Sequence, residues 1–298
     1  MFAMNHTIYA PRTAAFDGSA RALTDDEMRR AAPSIFAVEA HASRSERFAP
    51  IPTIEVLRGL QKEGFAPVAV RQSRSRDDSK YDFTKHIIRL RRLDDARAYQ
   101  VGDTICEIIL KNANDGTSAY DLMAGLFRIR CKNSLVAQTA TIDSVKVRHS
   151  GDAIGKVIEG TYRVLGEAEN ILAAPQDWGN VKLPYEAKAA LAESAHILRF
   201  ADAEGKVATP IQPAQLLAPR RADDTAGDLW TTFNVIQENV IRGGLSARAP
   251  ATTDERGRRR RGRMVTTREI NGIDQDVKLN KALWVLGERM AQLLKSAA

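Results

Sequence analysis

The chain has 298 residues, with 44 Lys and Arg against 37 Asp and Glu, a formal charge of +7. Six of the basic residues fall in Arg256–Arg263 (RGRRRRGR), and the rest of the chain balances at 38 basic to 37 acidic, which excludes a surface that coats polyanions everywhere. Two cysteines, Cys106 and Cys131, are too few for a disulfide framework and fit a reducing cytoplasm, and no apolar run approaches the length of a membrane span.

The start, MFAMNHTIYAPRT, lacks the basic-then-apolar pattern of a signal peptide, and residues 1–23 read as an irregular N-terminal arm. Thr24 is a candidate N-cap, followed by acids and then arginines, the order a helix dipole favours; Pro33 should interrupt that helix. Residues 41–50 read as a loop. A short helix fits Pro52–Lys62, with Thr53 near its cap and Gly64 closing it. The period then changes. Residues 65–72, 85–93, 104–110, 122–131 and 135–147 are short, aliphatic or β-branched, and bounded by turn residues, which predicts an antiparallel meander. Arg128, Arg130 and Lys132 would line one face of such a strand, with Phe127, Ile129 and Cys131 opposite.

The last third is helical. Amphipathic runs cover 152–172, 185–200, 225–242 and about 274–295, with a short helix at 214–217 and a basic loop over 246–266. Together these elements predict an α+β protein. A central curved antiparallel sheet, about 65–148, packs with a long helix and a C-terminal helical region in a single domain over 24–298.

No candidate chemistry stands out in the middle of the chain. The five histidines are dispersed, neither cysteine has a nearby partner, and no phosphate-binding glycine loop or nucleophile elbow occurs, so no metal, cofactor or catalytic residue is expected. His86 with Asp82 or Asp121 could form an acid–base pair, but nothing marks a nucleophile. Asn114-Asp115-Gly116 reads first as a hairpin turn and second as a loop presenting Asp115 and Thr117 to a ligand. Trp230, Phe233, Ile236, Gln237 and Val240 form one helix stripe, and Leu279, Leu283, Leu286 and Met290 another; both read as core. Asn234, Gln237, Glu238 and Asn239 beside the first stripe fit either packing hydrogen bonds or a site.

The arginine run points to phosphate, because the guanidinium fork pairs bidentately with phosphate oxygens. Gly257 and Gly262 would keep the segment mobile until it meets an anion. Arg89, Arg91, Arg92, Arg128 and Arg130 on predicted strands offer a second, weaker basic surface. Aromatic residues, at 6%, are too few to suggest a base-stacking platform.

Tyr81–Arg91, Asn112–Leu135, Asp228–Gly244 and Leu279–Trp284 carry a resemblance. The patterns N-x-x-D-G-x-S-A, G-L-F-R-x-x-C-x-N and N-V-x-Q-E-N-x-x-R-G-G, in that order, resemble the phage/plasmid-like family catalogued as domain of unknown function nine-three-two, from about residue 30 onward. Asn133-Ser134 departs from the Asn-Gly usual there. The resemblance implies a phage, plasmid or integrated element in the bacterial cytoplasm, and supplies no catalytic residues. The architecture is also similar to Rad52-type single-strand annealing proteins.

The resulting expectation is a nucleic-acid-binding protein, binding or annealing single-stranded DNA as a homo-oligomer, with no membrane partner. Arg256, Arg258, Arg259, Arg260, Arg261 and Arg263 would contact phosphates, and Arg89, Arg91, Arg128 and Arg130 would line the path. The alternative is a protein-interaction role, modulating a host factor or defence system without nucleic acid. An enzyme site around Asp115, Thr117, Asn133 and the 234–239 helix ranks third.

Overall fold

The structure is a computed structural model that describes residues 8–9, 22–44, 48, 50–75, 77–92, 104–129, 136–147, 153–253, 255 and 257–296. The fold is α+β. The chain divides into two compact units, residues 1–172 and 173–298, so the single domain read from the sequence is split at the end of its long helix.

The first unit is built on a six-stranded antiparallel sheet in sequence order. Its strands are β1 (Ile8–Tyr9), β2 (Phe65–Gln72), β3 (His86–Arg92), β4 (Thr104–Asn112), β5 (Tyr120–Ile129) and β6 (Val136–Val147). The last five fall within about two residues of their predicted places; β1 is an addition inside the expected irregular arm. Pro67 sits in β2 where the pairing shifts register, a position that tolerates the missing donor.

Three helices serve this sheet: α1 (Asp25–Ala31), α2 (Thr53–Lys62) and α3 (Ala153–Leu172). Thr24 caps α1 as expected: its hydroxyl accepts from the Glu27 amide while Glu27 reaches back to the Thr24 amide. A 3-10 turn over Pro33–Phe36 follows. Val56, Leu57 and Leu60 of α2 and Val157 and Val164 of α3 meet Ile88, Leu90, Ile108, Leu110 and Leu122 of the sheet. Alternation along β3 and β4 sends Ile88, Leu90, Ile108 and Leu110 to one face, together with His86 and Asn112, and Arg89, Arg91 and Glu107 to the other.

The second unit contains α4 (Ala174–Gly179), α5 (Tyr185–Phe200), α6 (Leu229–Arg242) and α7 (Ile273–Ser296). Its core is aromatic. Trp178 stacks on Trp284 at 4.6 Å between ring centroids and meets Phe233 edge-on at 5.3 Å. The two helix stripes read from the sequence as core are largely buried, with Leu279, Leu283, Phe233 and Ile236 inside. Asp228 caps α6 by accepting from the Thr231 amide at 2.7 Å, which moves the helix start from 225 to Leu229. No helix among the described residues is long and apolar enough to cross a membrane.

Candidate nucleic-acid interface

The arginine run lies between α6 and α7, and it is paired rather than loose. β7 (Ser246–Arg248) pairs with β10 (Met264–Thr266), and β8 (Thr252–Thr253) pairs with β9 (Arg259–Arg260), all antiparallel. Between them the Ala249 amide donates to the Arg263 carbonyl at 2.9 Å, and an Arg248 guanidinium N–H to the Gly262 carbonyl at 3.0 Å. The expected flexible loop over 246–266 is therefore a β-hairpin. Its glycines serve geometry, not mobility. A Cβ at Gly262 would stand 1.8 Å from the Ala249 carbonyl oxygen, so only glycine lets the two backbones approach. Gly257, with φ +72°, closes the tip.

The base of the arm is fixed to the helices by the residues of the R-G-G pattern. Gly243 has φ +64°, and a Cβ there would lie 2.6 Å from the Arg268 carbonyl oxygen. The Gly244 amide donates to Thr267 at 2.8 Å, and the Thr267 amide to Leu245 at 2.8 Å. Arg220 donates to the Gly243 carbonyl and to Asn239 Oδ1, Gln215 to the Ser246 carbonyl, and Arg199 to the Arg268 carbonyl. Burial lowers both Arg199 and Arg220 from the ordinary guanidinium range.

The polar residues of α6 take their place in this scaffold. Asn239 donates to the Leu216 and Ala218 carbonyls while accepting from Arg220. Glu238 receives Arg221 at 2.5 and 2.8 Å and Arg242 at 2.8 Å. Gln237 donates to Asn280 Oδ1 at 2.8 Å. These three are packing groups. Asn234, fully buried, donates to the Trp230 carbonyl, and its Oδ1 has no partner among the described residues.

Arg258, Arg259, Arg260, Arg261 and Arg263 are all exposed on the hairpin. Arg259 and Arg260, successive in β9, project to opposite faces of the ribbon. Residues 245–267 hold seven arginines against Asp254 and Glu255, and no aromatic residue. Arg256 lies outside the described residues.

The sheet arginines behave differently. Arg89 and Arg91, two residues apart on β3, share a face, and Glu107 of β4 lies diagonal to Arg89. Arg89 Nε donates to Glu107 Oε2 at 2.6 Å, and Arg91 to Oε1 at 2.6 and 3.0 Å. Arg89 also lies over the Phe127 ring, 3.5 Å from its centroid. Exposure is 8% for Arg89, 7% for Arg91 and 1% for Glu107. Burial by itself raises the Glu107 carboxyl, but the two guanidiniums outweigh it and hold it below its ordinary value. Arg89 and Arg91 are thus committed to a buried ion triad, and the expectation that they line a phosphate path is corrected. Arg92 is exposed, 5.8 Å from the Phe65 ring. Arg128 is on β5 with its side chain outside the described residues; Arg130 and Asn133 lie outside them altogether.

The N-x-x-D-G-x-S-A pattern builds a second polar cluster, inside the first unit. Thr53 does not cap α2; as its first residue it turns its hydroxyl inward. Asn112 Nδ2 and the Tyr120 hydroxyl donate to Thr53 Oγ1 at 3.0 and 2.9 Å, and Thr53 donates to His86 Nε2 at 2.9 Å. His86 Nδ1 then faces Ser34 Oγ at 2.8 Å and the Thr84 carbonyl at 3.3 Å. This arrangement fixes a neutral ring, and burial pushes the imidazole down to about 4. His86 contacts neither Asp82 nor Asp121 by hydrogen bond: Asp82 is exposed, and Asp121 pairs with Lys111 at 3.3 Å. Asp115 accepts from the Thr117 amide and hydroxyl at 2.9 and 2.6 Å, beside Gly116 at φ +76°. The turn reading of that segment therefore stands. Burial pushes the thiol of Cys106, toward the other end of β4, up to about 12. Among the described residues no three His, Cys, Asp or Glu side chains gather to hold a metal.

Both polar clusters escaped the sequence reading, although each left a trace. His86, Arg89, Glu107 and Asn112 are polar residues set in otherwise apolar strands, the pattern of side chains that must find partners inside.

Comparison with known proteins places this sequence. It is 43% identical over 275 residues to UPF0380 protein YafZ and 42% identical over 275 residues to UPF0380 protein YfjQ, both of Escherichia coli strain K12. Each alignment covers 92% of this chain and 94% of the relative. No solved structure matches. The family described as Domain of unknown function (DUF932) matches residues 40–284, and the chain belongs to that family.

Proposed function

We propose that this protein binds nucleic acid through its arginine hairpin. The observation that carries the reading is the arm itself, with five exposed arginines in the six positions 258–263, held on a paired ribbon whose base is fixed to α6. Such an array suits phosphate contacts, which are electrostatic and weakly sequence-specific. With Arg89 and Arg91 held by Glu107, a single-strand annealing path along the sheet loses two of its proposed contacts, and binding rests on the arm. The proposed setting is a cytoplasmic protein of a phage, plasmid or integrated element, acting on DNA as a homo-oligomer.

The test replaces all six arginines from Arg256 to Arg263 with serine. Affinity for a labelled oligonucleotide should fall at least about a hundredfold at moderate salt, given six lost phosphate contacts. Unchanged affinity would sink the reading. A protein-binding role has one feature in its favour, the exposed Ile197 and Leu198 of α5 and Val285 and Leu293 of α7. A stoichiometric protein partner retained at high salt after nuclease treatment, together with no oligonucleotide binding, would favour it.

A further inference from the structure

The geometry points to B-form duplex DNA as the ligand of the arm, entered by way of the major groove; this rests on the nucleic-acid reading above. Four features of residues 245–267 converge on it.

The first is shape. The arm is a two-stranded ribbon, paired near its base by β7 and β10 and near its tip by β8 and β9. Strands in such a ribbon lie about 4.8 Å apart. The major groove of B-DNA, roughly 12 Å wide and 8.5 Å deep, admits a two-stranded ribbon. Ser246 to Thr253 reaches up to about 23 Å at ~3.3 Å per residue, so the tip can sit in a groove while the base stays outside it. Apart from the arginines and Met264, the ribbon carries mainly Ser, Ala, Thr, Pro and Gly, which keep it slim.

The second feature is the placement of charge. Arg259 and Arg260 project to opposite faces of the ribbon. A groove presents a phosphate wall on each side, and a ribbon charged on both faces meets both. A single strand presents one line of phosphates and would leave one face without a contact.

The third is an absence of stacking groups. Proteins that hold single strands set aromatic rings under successive bases. Residues 245–267 contain no Phe, Tyr, Trp or His. The arm offers an unstacked base guanidinium planes but no ring, so it lacks the aromatic platform by which single strands are favoured over a duplex.

The fourth separates DNA from RNA. An A-form RNA duplex has a deep, narrow major groove that side chains cannot reach. A ribbon of this width is therefore excluded from it and left with the outer phosphates.

The experiment uses the full chain and measures affinity by fluorescence anisotropy at one fixed salt concentration. The probes are a 30-base-pair DNA duplex, one of its strands alone, and an RNA duplex of matching sequence. The DNA duplex should bind at least tenfold more tightly than either of the others. A single strand or RNA duplex that binds as well as the DNA duplex overturns the duplex inference and leaves nucleic-acid binding intact. Failure of all three to bind overturns both.

A second variant separates shape from charge. Gly262→Val keeps every arginine but places a side chain where the Ala249 carbonyl oxygen lies. The folded variant, checked by an unchanged aromatic circular-dichroism spectrum, should retain binding but lose most of the preference for duplex. A preference that survives in full would show that the ribbon does not set it, and the inference would fail.

Discussion

Two buried groups define the chemistry of the first unit at the scale of single residues. His86 is neutral in the fold, with burial pushing it down to about 4 from an ordinary 6.5. The folded value lies below the unfolded one, so the stability tied to the neutral ring is fully present above pH 6.5. It is lost as pH falls from there through about 4, and amounts to about 3 kcal/mol at most. Urea unfolding followed between pH 7.5 and 4.5 should show this loss in the wild-type chain and a flatter profile in His86→Gln. Equal pH slopes in the two would contradict it. Glu107 poses the complementary case. Glu107→Leu would leave Arg89 and Arg91 buried beside an apolar side chain, at a cost of roughly 3–5 kcal/mol in thermal unfolding. Replacing both arginines by methionine should change stability without changing nucleic-acid affinity, because neither is placed to meet phosphate. Neither role could be read from the sequence, since His86 and Glu107 acquire their partners from Ser34, Thr53, Arg89 and Arg91, up to 52 positions away.

Among the elements, legibility followed the strength of the local pattern. The five main strands and the longer helices announce themselves through period-two or three-to-four spacing of apolar residues and form close to where that spacing predicts, whereas the six-residue α4 has no such pattern to announce it. The arm did not, for a physical reason. Its four strands are two or three residues long and read SAR, TT, RR and MVT, which gives no apolar alternation to detect. Gly262 looks like a flexible joint until the opposite strand is present and its Cβ position is seen to be occupied by the Ala249 carbonyl. Gly243-Gly244 likewise reads as a helix stop, and it is one, but it also seats the first turn of the arm against Thr267 and Arg268. Thr53 stands beside the cap of α2, as its place in the sequence suggests; what its position does not show is that the buried network claims its hydroxyl.

The whole molecule divides its labour between two units, and the sequence offers a probe for that division. All three tryptophans, Trp178, Trp230 and Trp284, lie in residues 173–298, whereas His86 lies in residues 1–172. Tryptophan emission therefore reports on the second unit alone, while far-ultraviolet circular dichroism reports on both. Acidification from pH 6.5 to 4.5 should lower the thermal midpoint seen by circular dichroism more than the midpoint seen by tryptophan emission. Coincident shifts would mean that the two units unfold as one. The arm, with its anchors Arg199, Arg220 and Gln215, sits wholly in the second unit, so acid damage to the first should leave binding largely in place. The net charge that first marked the chain is thereby assigned to one paired ribbon. The most direct measurement of that assignment is the dependence of nucleic-acid affinity on salt, taken for the wild type and for the variant with all six arginines changed to serine. The slope of log affinity against log salt should be shallower in the variant by about 5, near 0.9 for each lost phosphate contact. The same slope in both proteins would contradict the account.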